Sequence, residues 1–161
     1  MPGADRAHQH SAVVSVLSRA AKLMEGSEVT LLLENLNSRV NHIGTYLDAT
    51  REGLDIVREV RSVHLRLLLD AYHALVMGED LASEIGEDID LVAHVQVADA
   101  PGRHEPGTGV LDWEAQLRIL RNLGYTGYWG MEYLPQSDTI TSLMMVEQIA
   151  ARVENTQGHM G

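Results

Sequence analysis

The run Ala93-His-Val-Gln-Val-Ala-Asp-Ala-Pro-Gly-Arg-His-Glu-Pro-Gly-Thr-Gly109 decides how the rest of the chain is read. Its first half alternates as a strand, with Val95 and Val97 on one face and His94, Gln96 and Ala98 on the other. Its second half is a loop of Pro and Gly that carries Asp99, Arg103, His104 and Glu105. Polar side chains at the point where an apolar strand gives way to a loop mark the functional rim of an α/β sheet or barrel.

Outward from this run, helical and strand patterns alternate. Val13, Val14, Leu17, Ala21 and Met24 share one face of a helix over Ser11 to Met24, and Gly26 ends it. The nearly continuous apolar run from Val29 to Leu36 predicts a strand covered on both faces. A helix from Asp48 to Arg61 and a strand from Val63 to Leu69, ending at Asp70, come next. Asp80 caps a helix in which Leu81, Ile85 and Ile89 recur every fourth residue, leading into the strand Leu91 to Ala98. Asp112 opens a helix with Trp113, Leu117, Leu120 and Leu123, closed by Gly124. A strand over Tyr128 to Leu134 and a last helix opened by Asp138 complete the pattern. Helix and strand alternating in this way build a parallel sheet, because each helix is the right-handed crossover to the next strand. The expectation is an α/β fold of parallel βα units, with four strands and about five helices in one domain over residues 1–161. Residues 1–10 and 155–161 are expected to be loose.

Composition narrows the function. A chain of 161 residues is long enough to bury one sizeable core. A net charge of −11 opposes nucleic-acid binding, which calls for a basic face, and suits a small-molecule substrate or a cation. Cysteine is absent, so neither disulfides nor thiolate chemistry is available. No apolar run is long enough to span a membrane, and the polar opening does not resemble a signal peptide. A cytoplasmic location is the expectation. Phenylalanine is absent too, which leaves aliphatic residues and Met to fill the core.

Every expected strand carries, at or near its C-terminal end, a polar residue that a buried strand ordinarily avoids: Glu34, Asp70, Gln96 and Glu132. They recur at intervals of about one βα unit, so adjacent parallel strands bring all four to one rim. Three carboxylates gathered there repel one another unless a cation lies between them. An all-oxygen set suits Mg²⁺ or Mn²⁺ better than zinc, which favours nitrogen and sulfur. Taken singly, each is equally consistent with a strand end facing solvent; the common phase of all four favours a site.

Four sequence words carry a family resemblance: Leu33-Glu-Asn-Leu-Asn37, Asp70-Ala-Tyr-His73, the strand and loop quoted above, and Gly130-Met-Glu-Tyr133. With them the chain resembles the C-terminal half of the hydroxypyruvate isomerases, within the xylose-isomerase-like sugar isomerases and epimerases built on a TIM barrel. The resemblance implies that Glu34, Asp70, Gln96 and Glu132 hold one divalent metal. It further implies that Glu34 and Glu132 serve as acid and base, and that His73 and Arg103 contact substrate oxygens. On residue type alone, a histidine hydrogen-bonded in its loop is the lesser reading of His73, whereas a solvated loop arginine is the better reading of Arg103. His42 either lines the pocket or lies at the surface, and His104 with Glu105 reads as a loop-stabilising pair.

A complete barrel needs about 250 residues and eight strands, and four are expected here. Such a half leaves two sheet edges and one sheet face without partners, which favours a homodimer or larger assembly through Leu, Val and Met of the strands. Two functional classes follow. One is a metal-dependent isomerase of hydroxypyruvate or a related small keto acid or sugar, with a sugar 3-epimerase as its nearest variant. The other is a non-catalytic half-barrel kept as a remnant or assembly partner. Gln96 and the loop resemble those of the hydroxypyruvate isomerases, and that resemblance favours the isomerase over the epimerase.

Overall fold

Short runs of Leu and Val supply the sheet. In the computed structural model, which describes residues 5–157, four parallel strands pair in the order β1 (Leu31–Glu34), β2 (Leu65–Asp70), β3 (Val92–Val97) and β4 (Trp129–Met131). The described helices are α1 (Arg6–Leu23), α2 (Thr50–Val60), α3 (Ala71–Met77), α4 (Leu81–Ile85), α5 (Trp113–Asn122) and α6 (Thr139–Gln157), with a 3-10 helix over Gly86–Leu91. No described helix is long and apolar enough to cross a membrane.

One face of the sheet makes the core. Leu65, Leu67, Leu69, Val92, Val95 and Val97 are buried together with Leu54 and Val57 of α2, Leu81 and Ile85 of α4, Trp113 and Leu120 of α5, and Ile149 of α6. Each fully buried leucine contributes roughly 1.5–3 kcal/mol relative to exposure, which fastens the helices to this face. The other face carries Leu32, Arg66, Leu68, His94 and Gln96, none of them buried. Here the expectation needs correction: Val and Met do not furnish an apolar open face. Val95 and Val97 turn into the core, and Leu32 and Leu68 are the two aliphatic side chains left on a mostly polar surface.

Register brings the polar strand ends level. Between Leu67 and Leu68 the β2–β3 pairing shifts, so that Leu67 faces Val92 while Leu68 faces His94. That shift aligns Asp70 with Gln96, and Gln96 in turn faces Gly130 on β4. A Cβ on Gly130 would stand 2.5 Å from His94 Nε2 and 3.3 Å from Gln96 Cγ. Only glycine leaves room there for both side chains.

Three further expectations change. α1 starts at Arg6 because Asp5 accepts the backbone N–H of His8, so residues 6–10 are helical rather than loose. At the other end α6 reaches Gln157, and residues 1–4 and 158–161 lie outside the described residues. His73 belongs to a helix, not a loop. α3 begins directly after β2, with Asp70 as its N-cap, and buries Ala71, Tyr72, His73 and Ala74. With its first turn buried and its second made of Leu75, Val76 and Met77, it has no polar stripe to give it a period. Finally, the pattern through Leu81, Ile85 and Ile89 breaks at Gly86, whose φ of 54° ends α4 and starts the 3-10 helix.

Candidate functional site

The C-terminal ends of the strands and the loops beyond them converge on one cleft of about 420 Å³, lined by Asn41, Gly102, Arg103, Glu132, Tyr133 and Leu134. Glu34 ends β1, Asp70 ends β2, Gln96 lies in β3, and Glu132 follows β4 by one residue. Glu132 lines this cleft, and the other three lie close to it through Gln96 and Arg103. The Gln96 amide sits between two of the carboxylates: with its nitrogen turned toward them it donates to Glu132 Oε2 (3.1 Å) and Glu34 Oε1 (3.2 Å). With its oxygen turned the same way, it faces acceptors alone, an arrangement that needs a cation in the middle. Glu34, Asp70 and His73 each offer a ligand atom, all within 4.8 Å of one another. The oxygen-rich surroundings therefore fit a hard divalent ion.

Electrostatics agree with a cluster of mutually repelling acids. Burial pushes the Asp70 carboxyl up to about 7, with Glu132 adding to the rise against the pull of the His73 backbone N–H and Arg103. Glu34 is also raised, by burial first and the charge of Glu132 second. Arg103 supplies positive charge among them, its Nη2 2.9 Å from Glu132 Oε2 and 3.5 Å from Asp70 Oδ2. The guanidinium lies over the Tyr72 ring at 5.2 Å. Its contacts with the two acids run through Nη2, and among the described residues no hydrogen bond from Nε or Nη1 is seen, so a planar fork remains that suits a bound anion.

The Pro- and Gly-rich loop is built to hold Arg103 in place. Asp99, fully buried, accepts backbone N–H groups from Ala100 (2.8 Å), Gly107 (2.8 Å) and Leu111 (3.1 Å). Glu105 and His104 do stabilise the loop, though not as a pair. Glu105 accepts from the Gln136 backbone N–H (3.0 Å), and His104 Nδ1 meets the Leu134 carbonyl (2.6 Å). Leu134 in turn donates its N–H to the Arg103 carbonyl (2.9 Å). The loop after β3 is thus stitched to the segment after β4, which sets Arg103 beside Glu132.

His42 packs beside His73, its ring edge-on at 5.1 Å. Burial lowers the His73 pKa to about 4, with Arg103 and His42 adding to the effect, so the ring is neutral at neutral pH. Two residues that carried no expected role are central. Asn35 bridges β1 to β2, donating to the Asp70 carbonyl (3.1 Å) and accepting the Asp70 N–H (3.0 Å). Asn37, fully buried, reaches His73 Nδ1 at 2.6 Å. The signal for both was two asparagines within three residues of a strand end, where exposed loop residues would have served equally well.

A sheet whose strand ends gather three acids, an amide, a histidine and an arginine can be compared with known proteins. The model of the xylose isomerase-like TIM barrel family matches residues 1–149. The chain belongs to this family. Among curated members of similar sequence, 2-oxo-tetronate isomerase of Cupriavidus necator is 34% identical over 140 residues, 87% of this chain and 54% of that protein. Hydroxypyruvate isomerase of Escherichia coli is 31% identical over 138 residues, covering 86% and 53%. The crystal structure of an AP endonuclease, family 2, from Brucella melitensis superposes with a TM-score of 0.81 at 31% identity, covering 91% of this chain and 57% of that one. The chain thus spans about half the length of the xylose isomerase-like relatives it matches, and its sheet has four parallel strands.

Proposed function

We propose that the chain carries the catalytic rim of a metal-dependent isomerase acting on hydroxypyruvate or a related small keto acid or sugar, through an enediol. The observation that supports this most is the meeting of Glu34, Asp70, Gln96 and Glu132 at one strand rim with Arg103 against them. The two named isomerase relatives supply the substrate class. Glu34, Asp70, Gln96 and Glu132 would hold Mg²⁺ or Mn²⁺. Such an ion, when bound, polarises a carbonyl and supports negative charge developing on the adjacent substrate oxygens.

This chain's residues do the rest. One of Glu34 and Glu132 removes the proton from C3 of hydroxypyruvate, giving an enediol. A proton returned to C2 then yields the 2-hydroxy-3-oxo isomer, so the formula is unchanged and no outside reductant is needed. Glu34, with its raised pKa, suits the partner that holds a proton between the two transfers. Arg103 directs its remaining donors at the substrate carboxylate, and His73 donates to a substrate oxygen. A sugar 3-epimerase would need no clamp for a carboxylate, which makes Arg103 the discriminating residue.

The alternative is a non-catalytic half-barrel, favoured by the unpaired outer edges of β1 and β4 among the described strands. Steady-state kinetics with hydroxypyruvate and added Mn²⁺ separate the readings. Glu34→Gln should lower kcat by roughly 10²–10⁴-fold, the usual worth of a proton-transfer group. Arg103→Ala should instead raise KM by roughly 10–100-fold, the loss of charged hydrogen bonds to a carboxylate. Absence of turnover in the wild-type chain would favour the half-barrel.

A further inference from the structure

Asn37 has every hydrogen-bonding position in use. Its Oδ1 accepts the backbone N–H groups of Val40 and Asn41, both at 2.9 Å. Its Nδ2 faces Asn41 Oδ1 at 2.8 Å and His73 Nδ1 at 2.6 Å. Asn41 Oδ1 also accepts from the Tyr72 hydroxyl at 2.9 Å. The two backbone donors decide which way the Asn37 amide points, because reversing it would set Nδ2 against two N–H groups and Oδ1 against the Asn41 oxygen. A correctly pointed Nδ2 can only donate to His73, so Nδ1 must present its lone pair. The proton of the neutral ring then sits on Nε2. That nitrogen is fully buried and has no hydrogen-bond partner among the described residues, with Asp70 Oδ2 at 3.5 Å.

We propose that Asn37 is a positioning residue that fixes His73 as the Nε2–H tautomer, making it a hydrogen-bond donor to a substrate oxygen and not a ligand to the metal. This rests on the isomerase reading for the identity of the acceptor, a carbonyl or enediol oxygen, but the tautomer itself follows from the hydrogen bonds alone. It also separates His73 from Glu34 and Asp70, which lie close enough to share an ion with it. A ring that keeps its Nε2 proton has no lone pair to offer there. The substrate therefore meets oxygen ligands on one side and one preset N–H on the other.

Long-range ¹H–¹⁵N spectra of the full chain, labelled in histidine, read the tautomer without any assay of activity. At neutral pH, His73 of the wild type should show a protonated Nε2 and an unprotonated Nδ1, and should keep that pattern when Mg²⁺ is added alone. Asn37→Asp places an acceptor against Nδ1 and should move the proton there. Asn37→Ala, the milder change, should give a mixture of tautomers and lower kcat by roughly 10–100-fold with little change in KM. A wild type protonated on Nδ1 would overturn the proposal, as would loss of the Nε2 proton on adding Mg²⁺. A pure Nε2–H signal retained in Asn37→Ala would equally remove Asn37 from the role, and this arm stands even if Asn37→Asp does not fold. If the spectra come out as expected while hydroxypyruvate is not converted, it is the isomerase reading that fails, and the Asn37 assignment holds.

Discussion

Replacing Asp99 by Ala tests whether the loop after β3 is organised as described. Asp99 is fully buried and accepts three backbone N–H groups, from Ala100, Gly107 and Leu111. Hydrogen bonds to a charged group contribute roughly 1.5–3 kcal/mol each. Gly107 is exposed, so its N–H can turn to water, while Ala100 and Leu111 are half-buried and lose more. The expected cost of Asp99→Ala is therefore about 3–5 kcal/mol, a large part of a typical 5–15 kcal/mol total. For a chain of this size that is a fall in Tm of roughly 6–20 °C. Asp99→Asn keeps Oδ1 for Ala100 and Leu111 and should cost only about 1–2 kcal/mol. Denaturant unfolding followed by circular dichroism gives both values. If Asp99→Ala lies within 1 kcal/mol of the wild type, the loop is held by something else and the placement of Arg103 needs another cause.

Other outcomes follow from the same geometry. Mn²⁺ at about a hundred times its dissociation constant should stabilise the chain by about 2.7 kcal/mol, roughly 5–10 °C in Tm; Glu132→Gln and Asp70→Asn should abolish that rise, and an equal response in all three proteins would remove the metal site. His10 places its two ring nitrogens 2.8 Å from Glu52 and 2.8 Å from Glu59, contacts that fasten α1 to α2 and raise its pKa above the usual 6.5. A raised value means that this stabilisation is complete below pH 6.5 and fades as pH rises through the folded-state pKa, so the Tm difference between wild type and His10→Ala should be larger at pH 6 than at pH 9. Light scattering should give at least twice the chain mass, since among the described residues β1 and β4 pair on one side only; a cooperatively melting monomer at micromolar concentration would contradict that assembly.

What the sequence revealed and what it hid divide along physical lines. The strands were legible because Leu65, Leu67 and Leu69, like Val95 and Val97, alternate toward one core. Caps were legible where an Asp sits just ahead of a helix, as Asp112 and Asp138 accept the N–H groups of Ala115 and Thr141. The clustering of Glu34, Asp70, Gln96 and Glu132 was legible as a recurrence of polar residues at strand ends, which parallel pairing converts into proximity. α3 stayed hidden because its buried run lacks a polar face, and Asp70 therefore read as the end of a strand rather than also a cap. Asn35 and Asn37 stayed without roles because each reaches across to the next strand–helix unit, to Asp70 and His73. Asp99 did so because two of its three backbone partners, Gly107 and Leu111, lie at the far end of its loop. Such partners follow from the fold, not from local pattern. Arg103 lies against Glu132 and Asp70, and those ion pairs depend on contacts between two loops that no spacing encodes.

The most direct test of the isomerase reading follows the carbon skeleton itself. The purified chain is mixed with hydroxypyruvate labelled with ¹³C at C3, in the presence of Mg²⁺, and observed by NMR. The labelled hydroxymethyl signal should be replaced by that of an aldehyde carbon or its hydrate, only with metal present, and not in Glu34→Gln. A folded chain that binds the ion yet leaves the label in the hydroxymethyl group would contradict the account.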